Sequence, residues 1–73
     1  MPRNREPTLD NCIKELRLAE DSMTQQALAD QASVTRQTIV ALERGAYTPS
    51  LALALRIARI FDKSVEEIFW LDE

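Results

Sequence analysis

Thr24-Gln25-Gln26-Ala27-Leu28-Ala29-Asp30-Gln31-Ala32-Ser33-Val34-Thr35-Arg36-Gln37-Thr38-Ile39-Val40-Ala41-Leu42-Glu43-Arg44-Gly45 is the stretch that decides the fold. Thr24 is a good N-cap, and Leu28, Ala29 and Ala32 then recur on one face, which predicts a short helix over 25–32. Ser33-Val34 is a very short break. Thr35 caps the next helix, which runs to about Arg44 with Ile39 and Leu42 turned inward. Gly45 ends it, because glycine takes the left-handed conformation without a Cβ penalty.

Outward from this stretch the helical pattern continues in both directions. Upstream, Leu9, Ile13, Leu16 and Ala19/Glu20 recur at three- and four-residue steps, so a first helix is expected from about Leu9, fading near Asp21-Ser22. Downstream, Tyr47-Thr48-Pro49-Ser50 is a loop. Ser50 caps a fourth helix whose expected buried face is Leu51, Ala54, Leu55, Ala58 and Phe61. Asp62-Lys63 breaks it, and Ser64 with Glu67 forms a capping box that opens a fifth short helix through about Phe69. The expectation is an all-α, compact five-helix domain over 9–73, preceded by a flexible tail over 1–8.

A turn of so few residues cannot reverse the chain, so the helices over 25–32 and 36–44 must cross steeply, as in a helix-turn-helix. Ala29 is small where they approach and Val34 plugs the turn. The periodicity that buries Ile39 and Leu42 exposes Thr35, Arg36, Gln37, Thr38 and Ala41. Arg and Gln can pair bidentately with guanine and adenine edges, and Thr or Ala can touch a thymine methyl. Taken singly, such residues are ordinary helix surface; the motif around them gives them weight.

Composition excludes several alternatives. Among 73 residues there is one glycine, three prolines, one cysteine and no histidine. So few turn residues argue against an all-β chain. The lone Cys12 makes no internal disulfide, and without histidine there is neither a zinc set nor a Ser–His or Cys–His pair. No metal, cofactor or enzymatic activity is expected. No stretch approaches a membrane span, and the polar start lacks the apolar core of a secretory signal, so a cytoplasmic location is expected.

The stretches Ile13-Lys14-Glu15-Leu16-Arg17, Thr24-Gln25-Gln26-Ala27-Leu28-Ala29, Val34-Thr35-Arg36-Gln37-Thr38-Ile39, Leu42-Glu43-Arg44-Gly45, Tyr47-Thr48-Pro49-Ser50, Ile57-Ala58 and Ser64-Val65-Glu66-Glu67-Ile68-Phe69 together resemble the lambda-repressor/Cro-like helix-turn-helix family, also called the XRE family. The resemblance covers about Asn11 to Phe69. It implies a five-helix domain that binds double-stranded DNA as a transcriptional regulator, as a repressor and homodimer on a palindromic operator. It implies base contacts for Arg36, Gln37 and Ala41, and backbone contacts for Gln25, Thr35, Thr38 and Arg44. Tyr47 can hydrogen-bond a phosphate or pack against its loop. Arg17 and Glu43 match a pair that forms a structural salt bridge in the family.

The chain departs from the family pattern at Ser33 and Asp62, where glycine is usual, at Ala27 in place of a capping glutamate, and at Ala46 in place of a lysine. A left-handed Ser33 would cost about 1 kcal/mol.

Phe69, Trp70 and Leu71 form an apolar tip that either closes the core or, with Leu53 and Ile60, contributes a dimer interface. Stand-alone domains of this size also occur as antitoxins and controller proteins, so a partner protein such as a toxin is the alternative to operator DNA. Arg3 and Arg5 could reach a minor groove, although flexible tail charge is the plainer account.

Taken in bulk, a net charge of −3 argues against a nucleic-acid partner. Its distribution reverses that. Residues 31–61 hold Arg36, Arg44, Arg56 and Arg59 against Glu43, a net of +3, whereas residues 62–73 hold five acids against Lys63, a net of −4. The recognition half is mildly basic and the chain end is acidic.

Overall fold

The computed structural model describes residues 8–72. In chain order the elements are β1 (Thr8–Asn11), α1 (Ile13–Ala19), α2 (Gln25–Ala32), α3 (Arg36–Glu43), α4 (Leu51–Phe61), α5 (Val65–Ile68) and β2 (Phe69–Asp72). The two strands pair antiparallel, Thr8 with Asp72, Leu9 with Leu71, Asp10 with Trp70 and Asn11 with Phe69. Five helices are present, but the domain is not all-α.

The correction falls at both ends of the helical body. Leu9 and Asn11 stand in a strand, not in the first helix, and α1 begins at Ile13. Leu9 and Ile13 are four apart, so helical spacing fits them, yet both also turn inward from a strand followed by a helix. What ends the strand is Asn11, whose Oδ1 accepts from Ile13 N at 3.0 Å and so serves the start of α1. Phe69 leaves α5 because it and Trp70 have extended partners across the ribbon. Thr8, expected in the tail, is the first residue of β1; the rest of that tail lies outside the described residues.

Local chemistry sets the other boundaries. The hydroxyls of Thr24, Thr35, Ser50 and Ser64 each accept from the backbone N–H three residues on. Ser64 and Glu67 complete the reciprocal box, Ser64 N donating to Glu67 Oε1 at 2.8 Å. Those hydrogen bonds, the backbone one first, hold the Glu67 carboxyl below its ordinary pKa. α2, α3 and α4 all end on a left-handed residue: Ser33 (φ 60°), Gly45 (φ 73°) and Asp62 (φ 55°). In each case the following N–H bonds back to a carbonyl five residues earlier: Val34 to Ala29 (3.0 Å), Ala46 to Ala41 (2.9 Å), Lys63 to Ala58 (3.0 Å).

The core gathers Ile13, Leu28, Ile39, Leu42, Ile57 and Ile68, fully enclosed, with Ala29, Ala32, Leu53, Ala54, Ala58, Phe61 and Phe69 around them. Each large side chain buried in this way contributes about 1.5–3 kcal/mol. α4 supplies Leu53, Ala54, Ile57, Ala58 and Phe61 to this core. Leu51 and Leu55, expected inside, are 72% and 54% exposed. Arg56 and Arg59 set the register, since with Ala52 and Leu55 they share one face, and burying both guanidiniums costs far more than exposing two leucines.

Candidate nucleic-acid interface

The framework that holds α3 begins at Arg17 on α1. Its Nε donates to Glu43 Oε2 at 2.7 Å, one Nη to Glu43 Oε1 at 3.1 Å, and the other to the carbonyl of Met23 at 2.7 Å. Gln25, the first residue of α2, donates Nε2 to Glu43 Oε1 at 3.2 Å. One buried arginine thus ties α1, the α1–α2 turn and the last residue of α3. Its hydrogen bond to Glu43 raises the Arg17 pKa further, and this outweighs the opposing effect of burial. The guanidinium stays charged, and the planar two-bond geometry fixes orientation as well as distance.

Two further anchors were not visible in the sequence. Asn11 Nδ2 donates to the Leu42 carbonyl at 2.9 Å, so one amide serves both the start of α1 and the end of α3. Arg56 on α4 donates to the Ala32 carbonyl at 2.8 Å, holding the end of α2 where the chain turns into α3. The sequence carries no signal for either beyond an Asn before a helix and an Arg on a helix.

The turn itself is Ser33-Val34-Thr35. Ser33 is left-handed, Val34 packs partly buried against the core, and Thr35 Oγ1 accepts from Thr38 N at 3.2 Å. The Thr35 and Thr38 hydroxyls lie 3.1 Å apart, so the first turn of α3 is closed by side chains as well as backbone.

From this base Arg36 and Gln37 project into solvent, and among the described residues neither side chain has an intramolecular hydrogen-bond partner. Thr35 is exposed beside them, whereas Thr38 and Ala41, expected exposed, are half-buried. Arg44 and Tyr47 are exposed on the segment that follows α3. Gln25 is half-buried through its bond to Glu43. Arg17, Gln25 and Glu43 therefore form one cluster, and Arg36, Gln37 and Thr35 a second at the start of α3.

The expected dimer residues separate. Leu53 and Phe69 belong to the chain's own core and are not available to a second copy. Ile60 is half-buried, and only Trp70 and Leu71 stand out as exposed apolar side chains. Phe69 faces inward because it shares the inner ribbon face with Asn11, while Trp70 takes the outer one. Cys12 is half-buried; burial first, then Glu15, pushes its thiol pKa up and disfavours the nucleophilic thiolate.

Among the described residues no helix is long and apolar enough to cross a membrane, and no cluster of three or more His, Cys, Asp or Glu could hold a metal.

A family profile described as "Helix-turn-helix" matches residues 13–68. The chain is 46% identical over 65 residues to the uncharacterized HTH-type transcriptional regulator YgzD of Bacillus subtilis (strain 168), covering 89% of this chain and 97% of that one. It is 54% identical over 61 residues to an uncharacterized HTH-type transcriptional regulator of Archaeoglobus fulgidus, covering 84% of each. Among solved structures, a proposed DNA-binding protein from Bacteroides fragilis superposes with a TM-score of 0.72 at 26% identity, covering 85% of this chain and 98% of that one.

Proposed function

The chain belongs to the helix-turn-helix family, and from that premise we propose that it is a sequence-specific, double-stranded DNA-binding transcriptional regulator in which α2 and α3 are the helix-turn-helix. The family is non-enzymatic. The observation that carries the reading is the Ser33-Val34-Thr35 turn, which braces α3 against α2 while leaving Arg36 and Gln37 free at the start of α3. That is the arrangement a helix needs to enter a major groove amino end first.

Arg36 and Gln37 read base edges, and Ala41, half-buried deeper along α3, offers a methyl at closer approach. Gln25, Thr35, Thr38, Arg44 and Tyr47 hold the phosphate backbone on either side. With Gln25 already fixed by Glu43, a phosphate contact there would report the position of α3 to the backbone. Two copies acting as a repressor on a palindromic operator, with half-sites about 34–36 Å apart, would double the sequence read.

Selection of bound sequences from a random duplex pool tests this. A short inverted repeat whose preference relaxes at one base pair in Arg36→Ala, and at another in Gln37→Ala, is the expected result. A pool that stays random, or an unchanged motif in both variants, would overturn the reading. Recovery of a single half-site would retain DNA reading by α3 and remove the two-copy operator.

A further inference from the structure

Two exposed strips remain outside this account. On α4, Ala52, Leu55, Arg56 and Arg59 line a shallow groove of about 290 Å³, small for a drug-sized ligand and suited to one large side chain. Its lining joins two apolar side chains, Ala52 and Leu55, to two arginines. Arg56 is already held by the Ala32 carbonyl, while Arg59 has no hydrogen-bond partner among the described residues. Leu51 continues the apolar surface one turn earlier on the helix.

On the ribbon, Asp10 lies directly across from Trp70, and Asp72 follows Trp70 by two residues on the same face. All three are exposed, Trp70 by 44%. The outer face is therefore a single large aromatic flanked by two carboxylates. The opposite face carries Leu9, Asn11 and Phe69 toward the body.

We propose that Trp70 of one copy of this chain seats in the α4 groove of a second copy, with Asp10 and Asp72 facing Arg56 and Arg59. The chemistry of one strip is the complement of the other. An aromatic knob meets Ala52 and Leu55, the guanidinium plane of Arg59 lies against the indole, and two carboxylates meet two arginines. Sign decides the occupant. Ribbon against ribbon would bring four aspartates together, and groove against groove four arginines; only ribbon against groove pairs opposite charges. Two such contacts related by a two-fold axis close a dimer.

This contact names an interface for the two-copy reading above, and its test uses no DNA, so the two fail separately. The full chain is studied by sedimentation equilibrium over a wide concentration range and at low and high salt. Wild-type protein is expected to self-associate, more weakly as salt rises. Trp70→Ala weakens the association about thirtyfold, the effect of losing a central aromatic anchor. Arg59→Glu and Asp72→Lys each weaken it about tenfold or more.

An equimolar mixture of those two charge variants restores association to near the wild-type level, because it pairs an unaltered ribbon with an unaltered groove and a reversed ribbon with a reversed groove. All three side chains are exposed, so thermal melts of the helical circular dichroism are expected to stay within a few degrees of wild type, which separates lost contact from lost fold. A wild-type chain monomeric at every concentration overturns the proposal and leaves both strips to other partners. Folded variants that associate as the wild type does, or a mixture that stays monomeric, overturn it equally.

Discussion

α3 and α4 each bury one face in the same core, and they differ in what they show to solvent. α3 presents Arg36 and Gln37, polar side chains with no partner among the described residues, on a helix whose two ends are held by Thr35, Glu43 and the Asn11 amide. α4 presents Leu51, Leu55 and two arginines around a groove, on a helix set by core packing, the Ser50 hydroxyl cap, the left-handed end at Asp62 and the Arg56 bond to the Ala32 carbonyl. The first surface is built to be read, because its position is over-determined and its side chains are free to pair. The second is built to be covered, since leucines left in water contribute nothing to stability until something lies over them.

The contrast can be broken at several points, the largest first. Arg17→Ala should lower stability by about 3–5 kcal/mol in urea unfolding, because it strands a buried Glu43 carboxylate, and α3 should lose its position with it. On α4, Ile57→Ala should cost about 2–5 kcal/mol while Leu55→Ala stays within about 0.5 kcal/mol. Equal costs at the two positions would mean that the outward face of α4 is part of the core after all.

For reading, Arg36→Ala and Gln37→Ala should each lose about 1–3 kcal/mol of discrimination at one base pair in competition binding, with stability unchanged. Leu51→Ser should leave the preferred sequence as it is; a shift in preference would erase the division between the two helices. Ser33→Gly should raise the melting temperature through up to about 1 kcal/mol of relieved left-handed strain in the turn that braces α3.

The smallest effect is at Glu67, exposed and bonded to Ser64. Its folded pKa is depressed, so its contribution is present above the unfolded carboxylate pKa and fades as pH falls through the folded one. Glu67→Gln should shrink that acid-limb slope in a pH series of melts.

What the sequence revealed and withheld follows from distance along the chain. Thr24, Thr35, Ser50, the Ser64–Glu67 box and Gly45 act on neighbours three to five residues away, so each boundary they set was legible. The salt bridge between Arg17 and Glu43 was reachable only through family resemblance, because nothing local joins residues 26 apart. The strands escaped for the same reason: β1 finds its partner at the far end of the chain, and four residues of alternation were overwritten by a helical spacing that also fits. α4 failed differently. Nine of its eleven residues are apolar, so two registers satisfied the period, and only the arginines, which need water, distinguished them. On α3 the spacing of Ile39 and Leu42 made the exposure of Arg36 and Gln37 legible, whereas Thr38 and Ala41 are half-buried at the edge of that face.

The pairing of Thr8–Asn11 with Phe69–Asp72 also bears on the order in which the chain assembles. Helices α2 and α3 meet across a three-residue turn and can form early, whereas the two strands must wait until nearly the whole chain has been brought around. Closing so long a loop yields only four short pairs, so the ribbon should be the last piece to form and the first to fray. Its amides should then exchange with solvent well before those of α4. The Cys12 N–H, which reaches the Ile68 carbonyl at 3.0 Å, marks the seam where that fraying would stop against the helical body.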